Sequence, residues 1–281
     1  MARTVLLTVV ALLAFAGNSM LCRLALRDHS IDPWSFTAIR LASGAILLLP
    51  LLWPRTPSNP KAESRKPGPP WAAAALLVYA LAFSLAYVSL DTGTGALLLF
   101  GTVQITMIAV GVRNGERPTA IAAAGMLLAI LGVVWLVLPG VQAPDALGAL
   151  LMTIAGIAWG TYSLLGRGAT EPSRATARNF ALAAPVAGLA MAVAFTQTAM
   201  SAEGIWLAIA AGVVTSGIGY VIWYMALPGL SATSAAIVQL SVPMLAAFGG
   251  ITLLGEQAST RLLAATAMTL AGVAMAVLSR K

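Results

Sequence analysis

The chain has 281 residues, of which 59% are hydrophobic and only 9% charged, and its net charge is +7. A soluble domain carries roughly 25% charged residues, so this composition excludes a water-soluble globular protein and puts the chain in lipid. The cations sit in short loops beside apolar runs and flank no aromatic-basic platform, so the positive balance reads as membrane topology rather than as affinity for nucleic acid.

A transmembrane helix needs about 20 mostly apolar residues. Ten such segments follow one another, at 4–26, 33–53, 71–90, 94–112, 118–138, 146–167, 176–197, 203–226, 231–252 and 259–279. Arg3, an apolar run and Ala14-Phe15-Ala16 imitate a cleavable signal peptide. The stretch from Phe15 to Leu26 has a counterpart from Ile157 to Gly168, however, so the first segment is read as a retained helix. Turn chemistry marks the breaks: Asp32-Pro33, Arg117-Pro118, Pro139-Gly140, Pro144-Asp145, Glu171-Pro172-Ser173 and Pro228-Gly229. The longest loop, Pro54 to Pro70, reads as a flexible linker. Cys22 is the sole cysteine, which excludes an intrachain disulfide and any CxxC site.

The second half of the chain repeats the first. Gly115-Glu116 recurs as Gly255-Glu256, and Leu131 to Val137 recurs as Ala271 to Val277, in both cases 140 residues later. Gly17 matches Gly160, and Tyr87 matches Tyr224. A five-helix unit crosses the membrane an odd number of times, so its second copy enters from the opposite face. The expected fold is an all-α polytopic membrane protein of ten transmembrane helices, arranged as two inverted five-helix repeats at 1–139 and 140–281. With the N-terminus inside, twelve of the 16 Lys and Arg residues fall in cytoplasmic loops or tails, and only Arg23, Arg27 and Arg261 fall outside. That bias puts both termini in the cytoplasm.

No Asp or Glu stands near the middle of a span, which argues against coupling through a buried, proton-binding carboxylate. The only histidine, His29, reads as a solvated loop residue. Without a buried base, an intramembrane Asp pair or a Walker lysine loop, enzymatic chemistry has no seat; no metal or cofactor is expected.

Polar and aromatic side chains at mid-depth are the candidates to line a path. Tyr79, Phe83 and Tyr87 fall at i, i+4 and i+8, a stripe that either faces lipid, packs between helices or forms a cavity wall. Phe100, Gln104 and Met107 share a face of the fourth span, where Gln104 serves either as a ligand group or as interhelical glue. Trp159, Tyr162 and Ser163 come from the sixth span, Tyr220, Trp223 and Tyr224 from the eighth, and Gln239 and Ser241 from the ninth. Asn18 is polar and well inside the first span. Pro243 lacks an N–H and is expected to kink the helix near Gln239; Gly217 and Gly219 are further hinge candidates. Trp34, Trp53, Trp71, Trp135 and Trp206 read as interfacial-belt residues. Arg23 and Arg40 toward the outside, with Arg167 and Arg178 toward the inside, are expected to snorkel to the headgroups, or else to attract a substrate carboxylate at each mouth.

These residues resemble a known family. The run Gln239-Leu240-Ser241-Val242-Pro243, followed by Leu254-Gly255-Glu256, is similar to the signature of the drug/metabolite transporter superfamily, EamA type. The first half keeps Gly115-Glu116 but has Val103-Gln104 where the family commonly carries proline. Phe15-Ala16-Gly17-Asn18 and the general layout resemble the YddG-type amino-acid exporters. The resemblance implies that spans three, four, eight and nine pack centrally while spans one, two, six and seven move as gates. It also implies export of amino acids from a bacterial inner membrane.

The expected function is therefore export of amino acids or similar small zwitterions by alternating access, without ion coupling. The expected surroundings are a small-molecule substrate and lipid, with a monomer compatible with the sequence. A drug or metabolite exporter of the same superfamily is the alternative, and a non-transporting scaffold or sensor a more distant one. A nucleotide-sugar carrier would need more cations deep in the cavity.

Overall fold

The computed structural model describes residues 2–53, 69–115, 119–140, 142–167, 171–194, 200–226, 238–239 and 241–278. The side chains of Pro172, Tyr224, Arg167 and Val277 are outside that description, as are Pro228-Gly229, Arg117-Pro118 and most of the loop from Pro54. The described residues are helical almost throughout: α1 (Ala2–Arg27), α2 (Pro33–Leu48, prolonged by a 3₁₀ turn at Leu49–Leu52), α3 (Trp71–Ala86), α4 (Thr92–Arg113) and α5 (Ala120–Val137). Then come α6 (Ala146–Arg167) and α7 (Pro172–Val193). The next rod, α8, is α-helical over Ala202–Ala210, π-helical over Ala211–Ile218 and α-helical again over Gly219–Ala226. The last two are α9 (Ser241–Leu254) and α10 (Thr260–Leu278).

Among the described residues, seven helices are long and apolar enough to cross a membrane, and three shorter apolar ones accompany them, at Trp71–Ala86, Ser241–Leu254 and Thr260–Ala276. This is an all-α polytopic membrane protein. Large apolar side chains point outward in numbers no soluble surface tolerates; Leu6, Ile46, Leu189 and Val193 are each more than 60% exposed. Trp53, Trp71, Trp135 and Trp206 also face outward, as interfacial residues should.

Local chemistry starts the helices. The Asp32 carboxylate accepts from Trp34 N and Ser35 N, both at 3.0 Å, ahead of Pro33 in the first turn of α2. Thr119 caps α5, Asp145 caps α6, Ser201 caps α8 and Ser259 caps α10. Each such cap contributes about 1 kcal/mol. Gly115 and Gly255 follow α4 and α9 with φ of +95° and +68°. The repeated glycine is thus the left-handed residue that ends the fourth helix of each half.

The helices pair in a regular way: α5 packs on α10, α2 on α7, α3 on α6, α1 on α8, and α4 on both α6 and α9. The closest seam joins α5 and α10 through glycines. A Cβ added at Gly132 would stand 2.5 Å from Thr269 Oγ1 and 3.0 Å from Ala265 O. One added at Gly272 would stand 2.5 Å from Gly125 O, and one at Gly125 would stand 2.8 Å from Met275 Cβ. Residues that rise in number along α5 meet residues that fall in number along α10, so the two helices run antiparallel.

Four expectations need correction. Arg40 does not snorkel: it is 1% exposed and lies in the core. Arg23 does not reach for headgroups either; it is held by Tyr87 O, Val88 O and Asp91. The stripe Tyr79, Phe83 and Tyr87 is buried along its length, which removes its lipid-facing reading. Gly217 and Gly219 are packing positions, since a Cβ would meet Leu47 Cδ2 at 2.7 Å and Ala14 Cβ at 2.9 Å respectively. Pro243 is buried in α9, and the kink expected near Gln239 falls at residue 240, outside the described residues. Among the described residues, Pro185 stands well inside a helix, α7.

Candidate functional site

The described residues enclose a cavity where α1, α3, α4, α6 and α8 meet, lined by Phe15, Asn18, Ser19, Tyr79, Phe83, Leu99, Phe100, Trp159 and Tyr220. Its volume is about 10 Å³, room for roughly one water molecule. The walls are mostly rings. Trp159 lies between Tyr79 and Tyr220, with centroid separations of 4.7 and 5.1 Å. Tyr79 leans on Phe83 at 5.3 Å, and Phe15 meets Tyr220 edge-on at 5.9 Å. Tilted and edge-on contacts of this kind are favourable, and each ring offers an electron-rich face.

The polar groups form one connected network. Asn18 Nδ2 donates to the Tyr79 hydroxyl at 3.4 Å, and Thr215 Oγ1 donates to Asn18 Oδ1 at 3.1 Å. Arg40 Nη2 donates to the same Tyr79 hydroxyl at 3.3 Å, and Arg40 Nε donates to Ser216 Oγ at 3.0 Å. The guanidinium carbon lies 5.5 Å from the Tyr79 ring centre and 5.2 Å from that of Phe83. Thr215 and Ser216 both belong to the π-helical stretch of α8. One extra residue per turn there turns successive side chains toward α1 and α2. Gly212 makes the crossing possible, because any Cβ would run into Arg40 O and Ser43 Oγ.

Arg40 is a full charge in the core. Among the described residues it makes no ion pair, and Nη1 has no hydrogen-bond partner. An uncompensated buried ion costs on the order of several kcal/mol even after relaxation. Two hydroxyls and two ring faces offset that cost only in part.

The remaining candidates fall around the cavity. Tyr87 is not a lining residue; fully buried next to Gly95, it packs edge-on against Phe83 at 4.7 Å and donates to Thr92 O at 3.3 Å. Gln104 is buried at 3% exposure but is not a lining residue. Tyr162 stacks on Trp159 at 5.4 Å and so backs the wall. Ser163 returns its hydroxyl to Trp159 O at 2.8 Å within α6. Trp223 packs edge-on against Phe15 at 5.8 Å, and Gln239 is half-buried. Sequence reasoning missed Phe15, Ser19 and Leu99 as site residues, and it placed Arg40 at an outer mouth rather than behind the cavity wall. Phe15 was findable, since it lies at i−3 from Asn18 on its face of α1, and Ser19 follows Phe15 at i+4.

A second polar cluster ties the two halves of the chain. Glu256 accepts from Thr92 N at 2.9 and 3.0 Å and from Thr92 Oγ1 at 2.9 Å, and pairs with Arg23 Nε at 3.5 Å. Asp91, the residue before α4, makes no cap of its own and instead meets Arg23 at 3.3 Å. Nearby, Arg27 Nη1 donates to Leu254 O at 2.7 Å. Glu256 is at a helix end, as its place in the chain indicates, yet its side chain is only 9% exposed.

The EamA-like transporter model matches the chain twice, over residues 2–138 and 146–278. The chain belongs to the EamA-like transporter family. It is 50% identical over 279 residues to an uncharacterized protein of Pseudomonas aeruginosa, covering 99% of this chain and 96% of that one. It is 26% identical over 292 residues to an uncharacterized transporter of Archaeoglobus fulgidus, with 96% of each covered. A crystal structure with 19% identity superposes with a TM-score of 0.65, over 100% of this chain and 99% of the other, and shares the fold. The protein is thus a multi-pass membrane transporter of the drug/metabolite superfamily.

Proposed function

We propose that this family member exports amino acids or similar small zwitterions across a bacterial inner membrane, by alternating access and down the solute's own gradient. Two inverted five-helix units, 1–139 and 140–281, carry the motion, and both termini face the cytoplasm. The antiparallel seam between α5 and α10 supports the inversion, because the helices that meet there occupy equivalent places in the repeat. The helix pairings support it too: exchanging the halves turns the α3–α6 pair into the α8–α1 pair and leaves α5–α10 and α2–α7 unchanged. The predominance of Lys and Arg in the loops assigned to the cytoplasm supports the orientation.

The observation that carries the reading is the cavity. It draws walls from both halves, it is built of aromatic faces with Asn18 and Tyr79 as hydrogen-bonding groups, and no carboxylate is among its described lining residues. Ring faces accept varied side chains and an ammonium group. Neutral hydrogen bonders hold a solute weakly enough to release it. A lining without an acid gives a coupling proton nowhere to bind. At about 10 Å³ the cavity is far too small for an amino acid, so this is a closed conformation that must part to load. Phe15, Trp159 and Tyr220, which bridge α1, α6 and α8, are the side chains that separate when it does.

The test is protection. Cells expressing the chain should survive toxic amino-acid analogues such as fluorophenylalanine, and should lose it faster than control cells. Protection against cationic dyes alone would favour the drug-exporter alternative. No change in either would favour a non-transporting role.

A further inference from the structure

We infer that Arg40 is the specificity-determining group of the transport site, and that the substrate must present a carboxylate to it. This deepens the exporter reading above and rests on it. Arg40 is 1% exposed, has a free Nη1 and makes no ion pair among the described residues. A planar fork of N–H donors is suited to a carboxylate, which it binds through two parallel hydrogen bonds. The partners it has now are substitutes, a tyrosine and a serine hydroxyl, at 3.3 and 3.0 Å. Tyr79 is also a cavity wall. When the walls part to admit a solute, the displaced phenol uncovers the guanidinium directly behind it.

The same arrangement sets the rest of the substrate. A positive charge within 5.5 Å of the Tyr79 and Phe83 rings occupies their faces and repels cations from that side. Organic cations without an acid group are therefore excluded. Trp159, Phe15, Phe100 and Tyr220 remain for an apolar or aromatic side chain, and their free faces or Asn18 for an ammonium. The carboxylate is required and the ammonium is accessory. The fitting class is small monocarboxylates with an aromatic or apolar body, the corresponding α-amino acids among them.

The experiment uses the full chain in proteoliposomes and in detergent. Counterflow of labelled L-phenylalanine is competed by 3-phenylpropionate, which keeps the acid, and by phenylalaninamide and phenethylamine, which lack it. In parallel, the shift in unfolding temperature is read with each compound. A lost charge-assisted contact corresponds to about a 10- to 100-fold weaker interaction. Phenylpropionate should compete and stabilise, while the amide and the amine should be weaker by that factor. R40Q should erase the preference, and R40K should keep part of it. Equal competition by acid and amide in the unsubstituted protein overturns the inference, whether or not R40Q folds. So does the absence of a thermal shift with both phenylalanine and phenylpropionate. A selective thermal shift without phenylalanine flux upholds the carboxylate site and defeats only the amino-acid exporter reading.

Discussion

Gly132 and Gly272 occupy the same place on opposite sides of one seam. Gly132 presses on Thr269 and Ala265 of α10, and Gly272 presses on Ala129 and Gly125 of α5, which are the same two positions displaced by 140 residues. Both approaches are against backbone, which cannot give way. G132L and G272L should each destabilise the protein by about 1–3 kcal/mol through overpacking. G188A, where a Cβ meets nothing within 4 Å, should be neutral or add about 0.5–1 kcal/mol. Thermal unfolding of the three variants in one detergent checks the ranking.

Glu256 reaches from the turn after α9 to cap α4 with a fully engaged carboxylate. E256A should cost about 1.5–3 kcal/mol, the range for hydrogen bonds to a charged group. It should also loosen the end of the molecule where Arg23 holds α1 against the turn after α3. Cys22, buried and the sole cysteine, is a built-in reporter next to Arg23. Maleimide labelling of Cys22 should be slow in the unsubstituted protein and several-fold faster in E256A.

Removing Trp159 opens the wall between Tyr79 and Tyr220. W159A should abolish transport with normal membrane insertion. Q104A and Q239A should reduce it less, because neither side chain lines the cavity. Equal losses in all three, measured as initial efflux rates at matched expression, would mean that the solute path runs through α4 and α9 instead.

Tyr79 is the link between Asn18 and Arg40. Y79F removes one hydroxyl and leaves a buried guanidinium with Ser216 as its only side-chain hydrogen-bond partner among the described residues. The expected loss is about 1–3 kcal/mol in stability, read by thermal unfolding, with transport reduced rather than abolished.

Much of the fold could be read in the chain. Hydropathy located the helices, and Asp32-Pro33, Thr119, Asp145 and Ser201 started them where cap chemistry required. The repeated Gly-Glu was visible as a pattern, while its purpose was not. Gly255 ends α9 in a left-handed residue, and that turn delivers Glu256 to the first turn of α4, a contact 164 residues apart in the chain. The aromatic wall was half legible: Tyr79 and Phe83 of the α3 stripe, with Trp159 and Tyr220, were picked out by spacing and depth and line the cavity, while Tyr87 does not. Arg40 was misread because its position seven residues after Pro33 lets a long side chain reach the surface. Ser216 and the rings of α3 decided otherwise, and they are tertiary neighbours that no local pattern reveals. The π-helix at Ala211–Ile218 has the same origin, since Asn18 and Arg40 bond to the side chains it turns inward.

Flux through the purified protein tests the central claim most directly. Proteoliposomes loaded with unlabelled phenylalanine, with equal pH on both sides, should accumulate labelled phenylalanine by counterflow, and W159A liposomes should not. Uptake that appears only under an imposed pH gradient, or none at all, would contradict a carrier that works without a coupling ion.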